Sequence, residues 1–228
     1  MFIGLLMAST LMTVSPPAPR LASVSPQIIT HGARTHKWVV LSFDACETRK
    51  PAGYDAKIID ILTRTHTPAT LFLGGHWMET HPAQARMLAA NPLFEIGDHS
   101  YLHPHMTKIS TAQMDDDLRK TQAVHQNLTG RQARLFRPPY GEYDASVIQE
   151  AARFGMKSVT WEVVTGDPDK HVTAPNIVRT VLARTKPGSI VIMHVNGRGW
   201  HTAEALPAVI AGLKKKGYSF ARLSETLE

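Results

Sequence analysis

The stretch Trp38-Val39-Val40-Leu41-Ser42-Phe43-Asp44 (WVVLSFD) sets the fold class. It is β-branched and aromatic, nearly continuous in apolar character, and ends on an acid. Such a run reads as a strand buried on both faces of a parallel sheet. Outward from it the rhythm repeats. Ala69–Gly75 (ATLFLGG), Leu93–His99 (LFEIGDH), Arg134–Pro139 (RLFRPP), Lys157–Val163 (KSVTWEV), Ser189–His194 (SIVIMH) and Tyr218–Leu223 (YSFARL) give six further candidate strands. Amphipathic segments lie between them. Tyr54–Thr63 carries Ile58, Ile59 and Leu62 at helical spacing, and His81–Ala90 reads as a helix. Ser110 is placed to cap a long helix with Met114, Leu118, Thr121, Val124 and Leu128 on one face. Asp115, Asp116 and Asp117 fall in its early turns, and Gly130 can close it. Asp144 caps a helix that ends at Gly155, and further helices start at Thr173 and Thr202. Seven strand–helix units predict a parallel α/β sheet covered by helices, closed into a barrel or open and doubly wound. No glycine-rich phosphate loop follows a strand, so nucleotide binding lacks its usual support.

The chain has 228 residues, of which 43% are hydrophobic and 19% charged, enough for one domain with a real core. Its single cysteine, Cys46, excludes an intrachain disulfide and a cysteine-rich zinc module. The 25 Lys+Arg against 19 Asp+Glu give a net charge of +6, but the basic residues are scattered. The dense run Lys214-Lys215-Lys216 stands at a helix end, where the dipole favours cations, so no nucleic-acid partner is expected. No stretch of 18 or more apolar residues is present, and no stable membrane span is expected. Phe2–Met12 is apolar and is followed by a Ser/Pro/Ala-rich stretch from Ser15 to Pro26. This resembles a secretory signal peptide, although no Lys or Arg follows Met1. Residues 1–30 are therefore expected to be a signal peptide or disordered tail, and 31–228 the folded domain. The protein is expected to be exported, to the periplasm or beyond, and cytoplasmic if that segment is not a signal.

Polar residues gather where the strands end. The first strand ends in Asp44, the third runs into His99 with His103 four residues on, the fourth carries Arg137, the fifth precedes Asp167, and the sixth ends in His194. In a parallel α/β architecture these positions share the C-terminal edge, where such folds place their sites. His99 and His103, spaced by four, can lie on one side of a turn and share a metal, zinc first. His105 follows Pro104 and reads as second to that pair or exposed. After Arg137, two prolines stiffen the Pro138-Pro139-Tyr140-Gly141 loop, which can aim a backbone N–H at a developing oxyanion.

Taken in order, these segments resemble the NodB-like polysaccharide deacetylases, carbohydrate esterase family 4. SFDACE (Ser42–Glu47), HSYLH (His99–His103), RPPYG (Arg137–Gly141), WEVVTGD (Trp161–Asp167) and IMH (Ile192–His194) carry the resemblance over residues 38 to 227. It implies a distorted (β/α)7 barrel with parallel strands and a metal-dependent hydrolase that removes N-acetyl groups from a glycan. It also implies roles: His99 and His103 as ligands of one divalent ion, zinc with cobalt or nickel as alternatives; Asp44 as general base held by Arg137; Tyr140 as oxyanion donor; His194 as acid oriented by Asp167. The expected partner is an N-acetylated polysaccharide or oligosaccharide: peptidoglycan, a chitin-type oligosaccharide or an exopolysaccharide.

The chain also departs from that pattern. Ala45 stands where the family usually has a metal-binding aspartate, which leaves Cys46, Glu47 or water as third ligand. Val164 replaces an acid, Pro168 replaces a tryptophan, and Asp169 is an alternative to Asp167. Trp77, Tyr101, Tyr140 and Trp200 are candidate sugar platforms. Two rival readings accompany the deacetylase: an O-acetyl glycan esterase, and a non-catalytic carbohydrate-binding barrel with an incomplete metal site.

Overall fold

A computed structural model describes residues 25–47 and 52–227. The expected signal peptide lies, up to residue 24, outside the described residues. Among the described residues no helix is long and apolar enough to cross a membrane.

The strands are β1 (Ile28–Ile29), β2 (Trp38–Ala45), β3 (Ala69–Leu73), β4 (Phe94–Asp98), β5 (Leu135–Phe136), β6 (Lys157–Val159), β7 (Val163–Val164), β8 (Ile190–His194) and β9 (Ser219–Phe220). They run parallel in the order β1-β6-β5-β4-β3-β2-β8-β7, with β9 against the start of β2. The helices are α1 (Ala56–Arg64), α2 (Gly75–Thr80), α3 (Pro82–Ala90), α4 (Thr111–Thr129), α5 (Ala145–Arg153), α6 (Ala174–Arg184) and α7 (Thr202–Lys215). The sheet curls into a distorted (β/α)7 barrel.

Alternation along β2 explains how the barrel carries a site. Val39, Leu41 and Phe43 pack outward into a cluster with Ile58 and Leu62 of α1 and with Leu206, Val209 and Leu213 of α7. Val40 joins Phe72, Leu135, Val159 and Ile190 in a separate inner cluster. The side-chain period of two therefore puts Ser42 and Asp44 on the same inner face as Val40. A buried apolar plug fills the barrel beneath them.

Three local features differ from the sequence expectations. Ile28 and Ile29, inside the segment expected to lie outside the fold, pair with Ser158 and Val159. The strand expected over Lys157–Val163 is two strands, because Thr160–Glu162 crosses the gap in the curled sheet. There the Thr160 N–H donates to Ile29 O at 2.8 Å and the Glu162 N–H to Ile190 O at 3.0 Å, while His31 bridges Ser189. Finally, Gly75 does not extend β3 but opens α2, whose Trp77 and Met78 are buried.

Candidate active site

β2 and β8 are adjacent and in register, with Asp44 directly opposite His194. β3 aligns Leu73 with both Ala45 and Asp98, and β5 aligns Phe136 with Asp98. Asp44, His99, Arg137 and His194 thus emerge at one level of the barrel mouth. Asp44, His99 and His194 border a cavity of about 220 Å³ that Cys46, Tyr140, Trp161 and Arg198 also line, with Arg137 buried behind Asp44.

Arg137 is fully buried. Its Nη1 donates to Asp44 Oδ1 at 2.6 Å and its Nη2 to Ser42 Oγ at 2.9 Å and Thr160 O at 3.3 Å. The guanidinium also lies 4.0 Å over the Phe72 ring. Burial alone would raise the Asp44 pKa, but the Arg137 charge, with His99, His194 and the Arg137 hydrogen bond, outweighs it and holds the carboxyl below its usual range. Asp44 is therefore an oriented carboxylate with Oδ2 facing His99 Nε2 at 3.5 Å.

His99 is fixed from behind: Nδ1 donates to Arg137 O at 2.8 Å, which leaves Nε2 toward the cavity. Backing an imidazole with a carbonyl in this way sets the tautomer a metal ligand needs. The His99 and His103 rings lie 4.8 Å apart. Burial lowers both pKa values, that of His103 to about 3 with His99 adding to the effect, so both rings are neutral and have lone pairs to offer. His103 Nδ1 is buried without a hydrogen-bond partner. A nitrogen, sulfur or oxygen atom from each of Cys46, His99 and His103 lies within 4.8 Å of the others. Two neutral imidazoles, one with an orphaned nitrogen, beside a thiol fit a zinc-type ion. Burial, with Asp44 nearby, pushes the Cys46 thiol up to about 12.

The loop that carries His103 is strained and clamped. Ser100 and His103 both adopt left-handed backbone, at φ 64° and 56°. Asp98 Oδ1 accepts from Ser100 N at 2.7 Å, and Ser100 Oγ accepts from His103 N at 2.9 Å. Asp117, on α4, reaches across to accept from Tyr101 N at 2.8 Å and Leu102 N at 3.3 Å. α4 begins at Thr111, so the three aspartates lie just beyond its first turn, and Asp117 serves the preceding loop.

Across the cavity, His194 Nδ1 pairs with Asp167 Oδ1 at 2.9 Å. Asp167 also accepts from His194 N at 2.7 Å, Thr202 Oγ1 at 2.7 Å and Thr165 Oγ1 at 3.2 Å. A carboxylate so completely engaged cannot swing away, and it leaves Nε2 as the nitrogen of His194 still free to serve the cavity. Asp169, the alternative, accepts from His171 N instead. A Cβ on Gly199 would sit 3.0 Å from Asp167 Oδ2 and 2.6 Å from His194 O, so this pairing requires glycine there.

Tyr140 adopts φ 61° in the turn Pro139–Gly141, where non-glycine residues are strained. Its ring stands edge-on to His103 at 4.4 Å and stacks on His105 at 4.1 Å. His105 is partly exposed and pairs with Glu142 at 2.8 Å. Glu47 turns to His76, 2.8 Å from its Nε2. Trp77 is fully buried with its indole N–H on Gly53 O at 3.1 Å, so it is no sugar platform. Tyr140 and Trp200 are exposed, and Trp161 is the aromatic that lines the cavity without having been singled out. Nor did the sequence mark Arg198, which lines the cavity, or Asn196, which acts through a hydrogen bond to distant Cys46.

Residues 31–159 match the polysaccharide deacetylase family. The chain belongs to that family. Among curated relatives of this chain are the uncharacterized protein YlxY of Bacillus subtilis, 32% identical over 93% of this chain and 64% of its own length, and the peptidoglycan-N-acetylglucosamine deacetylase of Bacillus cereus. The latter is 33% identical over 75% of this chain and 62% of its own length. The chain thus spans just under two thirds of either relative. Among solved structures, a CE4 family pseudoenzyme from Bacillus anthracis superposes with a TM-score of 0.81, at 32% identity over 90% of this chain and 70% of that one. A mutant of that pseudoenzyme is described as having restored enzymatic activity.

Proposed function

We propose that this family member is a metal-dependent deacetylase that hydrolyses N-acetyl groups of a glycan outside the cytoplasm. Candidate substrates are peptidoglycan, a chitin-type oligosaccharide and an exopolysaccharide. The observation that carries the reading is the register of β2 and β8, which sets Asp44 opposite His194 at the mouth where His99 and His103 converge. A pure binder has no need for a carboxylate held ionised on one side of a cavity and an imidazole held by a carboxylate on the other.

His99 and His103 would hold the ion. A divalent metal there, zinc with cobalt or nickel as alternatives, supplies Lewis-acid polarisation of the amide carbonyl and of water. Asp44, through the oxygen that Arg137 does not engage, takes a proton from the attacking water. The Tyr140 backbone N–H donates to the charge developing on the carbonyl oxygen. His194, oriented by Asp167, hands the departing amine a proton from Nε2. The names of relatives such as the Bacillus cereus enzyme support an N-acetylated cell-wall glycan.

The test is metal analysis of the purified protein together with acetate release from N-acetylglucosamine oligomers and peptidoglycan. Bound metal and released acetate are expected. Acetate released from O-acetylated glycans alone would make it an O-acetyl esterase. A second reading, a non-catalytic carbohydrate-binding barrel, is favoured by Ala45 and by the likeness to the pseudoenzyme; glycan binding with neither metal nor acetate would establish it.

A further inference from the structure

Ala45 is buried and has no donor atom, so the strand carrying Asp44 brings no second carboxylate to the two histidines. One residue on, where the chain leaves β2, Cys46 is 3% exposed and lines the same cavity. Its Sγ and one nitrogen from each of His99 and His103 are mutually within 4.8 Å. In a tetrahedral zinc site, bond lengths of about 2.3 Å to sulfur and about 2.0–2.1 Å to nitrogen put ligand atoms roughly 3.3–3.6 Å apart. Closing the three side chains on one ion would therefore shorten their widest separation by no more than about 1.5 Å. Among the described residues, no other group of three His, Cys, Asp or Glu side chains meets that spacing.

We infer that Cys46 is the third protein ligand, making this a Cys-His-His centre in which sulfur takes over from the carboxylate missing at position 45. The inference rests on the metal-dependent reading above and deepens it. Two further observations support it. Asn196 is buried on the turn after β8, where Nδ2 donates to Cys46 O at 2.7 Å and lies 3.8 Å from Sγ. That amide fixes the backbone of Cys46 and offers an N–H to a sulfur that carries charge. Glu47, the rival acid, is occupied by His76 instead. A thiolate beside two imidazoles favours zinc and cobalt over the oxygen-seeking magnesium, calcium and manganese.

The experiment is titration of the metal-free, full-length protein with cobalt(II), followed by absorption spectroscopy. The wild-type protein is expected to show a near-ultraviolet thiolate-to-cobalt charge-transfer band and the visible bands of a tetrahedral site. Cys46→Ser should lose the charge-transfer band and bind cobalt about tenfold or more weakly, while Asn196→Ala should keep the band. The wild-type spectrum decides the first arm even if a variant misfolds. Cobalt bound without a charge-transfer band, at an affinity that Cys46→Ser leaves unchanged, overturns the Cys46 assignment and leaves metal dependence standing. Protein that takes up neither cobalt nor zinc overturns both.

Discussion

Asp44 and Arg137 form a buried ion pair at 2.6 Å, so the two residues cannot be changed independently. Removing one partner of a buried pair typically costs about 3–5 kcal/mol because the other charge is left uncompensated. Asp44→Asn preserves shape and an acceptor but not the base. Its expected result is a fall in kcat of about 10²–10⁴-fold, measured as acetate release below the variant's melting temperature, with bound metal retained. His194→Gln should lose turnover by a comparable factor with a smaller stability loss, since Asp167, though buried, keeps its hydrogen bonds from His194 N, Thr202 Oγ1 and Thr165 Oγ1. If its pH–rate profile matched that of the wild type at full rate, His194 would not be the acid. At this scale the sequence was informative about position wherever a residue stands at a strand end, as Asp44 and His194 do at the ends of adjacent strands. It was not for Trp77, whose burial is set by the Gly53–Tyr54 segment and by His81 stacking on its ring.

The elements that hold the site are α4 and the loop before it. Asp117 sits on α4 but its carboxylate closes the Ser100–His103 loop from outside. Asp117→Ala is therefore expected to weaken zinc binding by about 10–100-fold, read by chelator competition, while the far-ultraviolet circular dichroism stays that of the wild type. The N-terminus of the same helix offers a control. Ser110 and Gln113 form a reciprocal cap, with Gln113 N donating to Ser110 Oγ at 3.3 Å and Ser110 N donating to Gln113 Oε1 at 2.9 Å. Ser110→Ala should cost about 1 kcal/mol in urea unfolding and leave activity intact. The cap was legible because it is written within four consecutive residues, and Gly130 at φ 73° ends the helix where expected. The Asp117 clamp was not legible, because three adjacent aspartates look alike until the loop is folded over one of them.

For the whole molecule, the buried interior of α4 predicts a pH effect. Burial lowers the His125 pKa from 6.5 to about 4. The folded state thus binds fewer protons than the unfolded chain between those values. The contribution is fully present above about pH 6.5 and is lost progressively as pH falls toward 4, amounting to about 2 kcal/mol between pH 7 and 5. The stability difference between wild type and His125→Leu, from urea unfolding at both pH values, should change by that amount. A pH-independent difference would mean that His125 stays accessible to protons. The sequence by itself determined the parallel α/β class, most helix boundaries and the set of polar residues at strand ends, because periodicity, caps and turn residues are local physics. Only the tertiary structure decided that β1 joins β6 at the edge of the sheet, that Lys157–Val163 splits across the gap, and that Cys46 rather than Glu47 faces the histidines. Those outcomes depend on which strands become neighbours and which way a side chain points once the sheet curls, and no local stretch of chain encodes either.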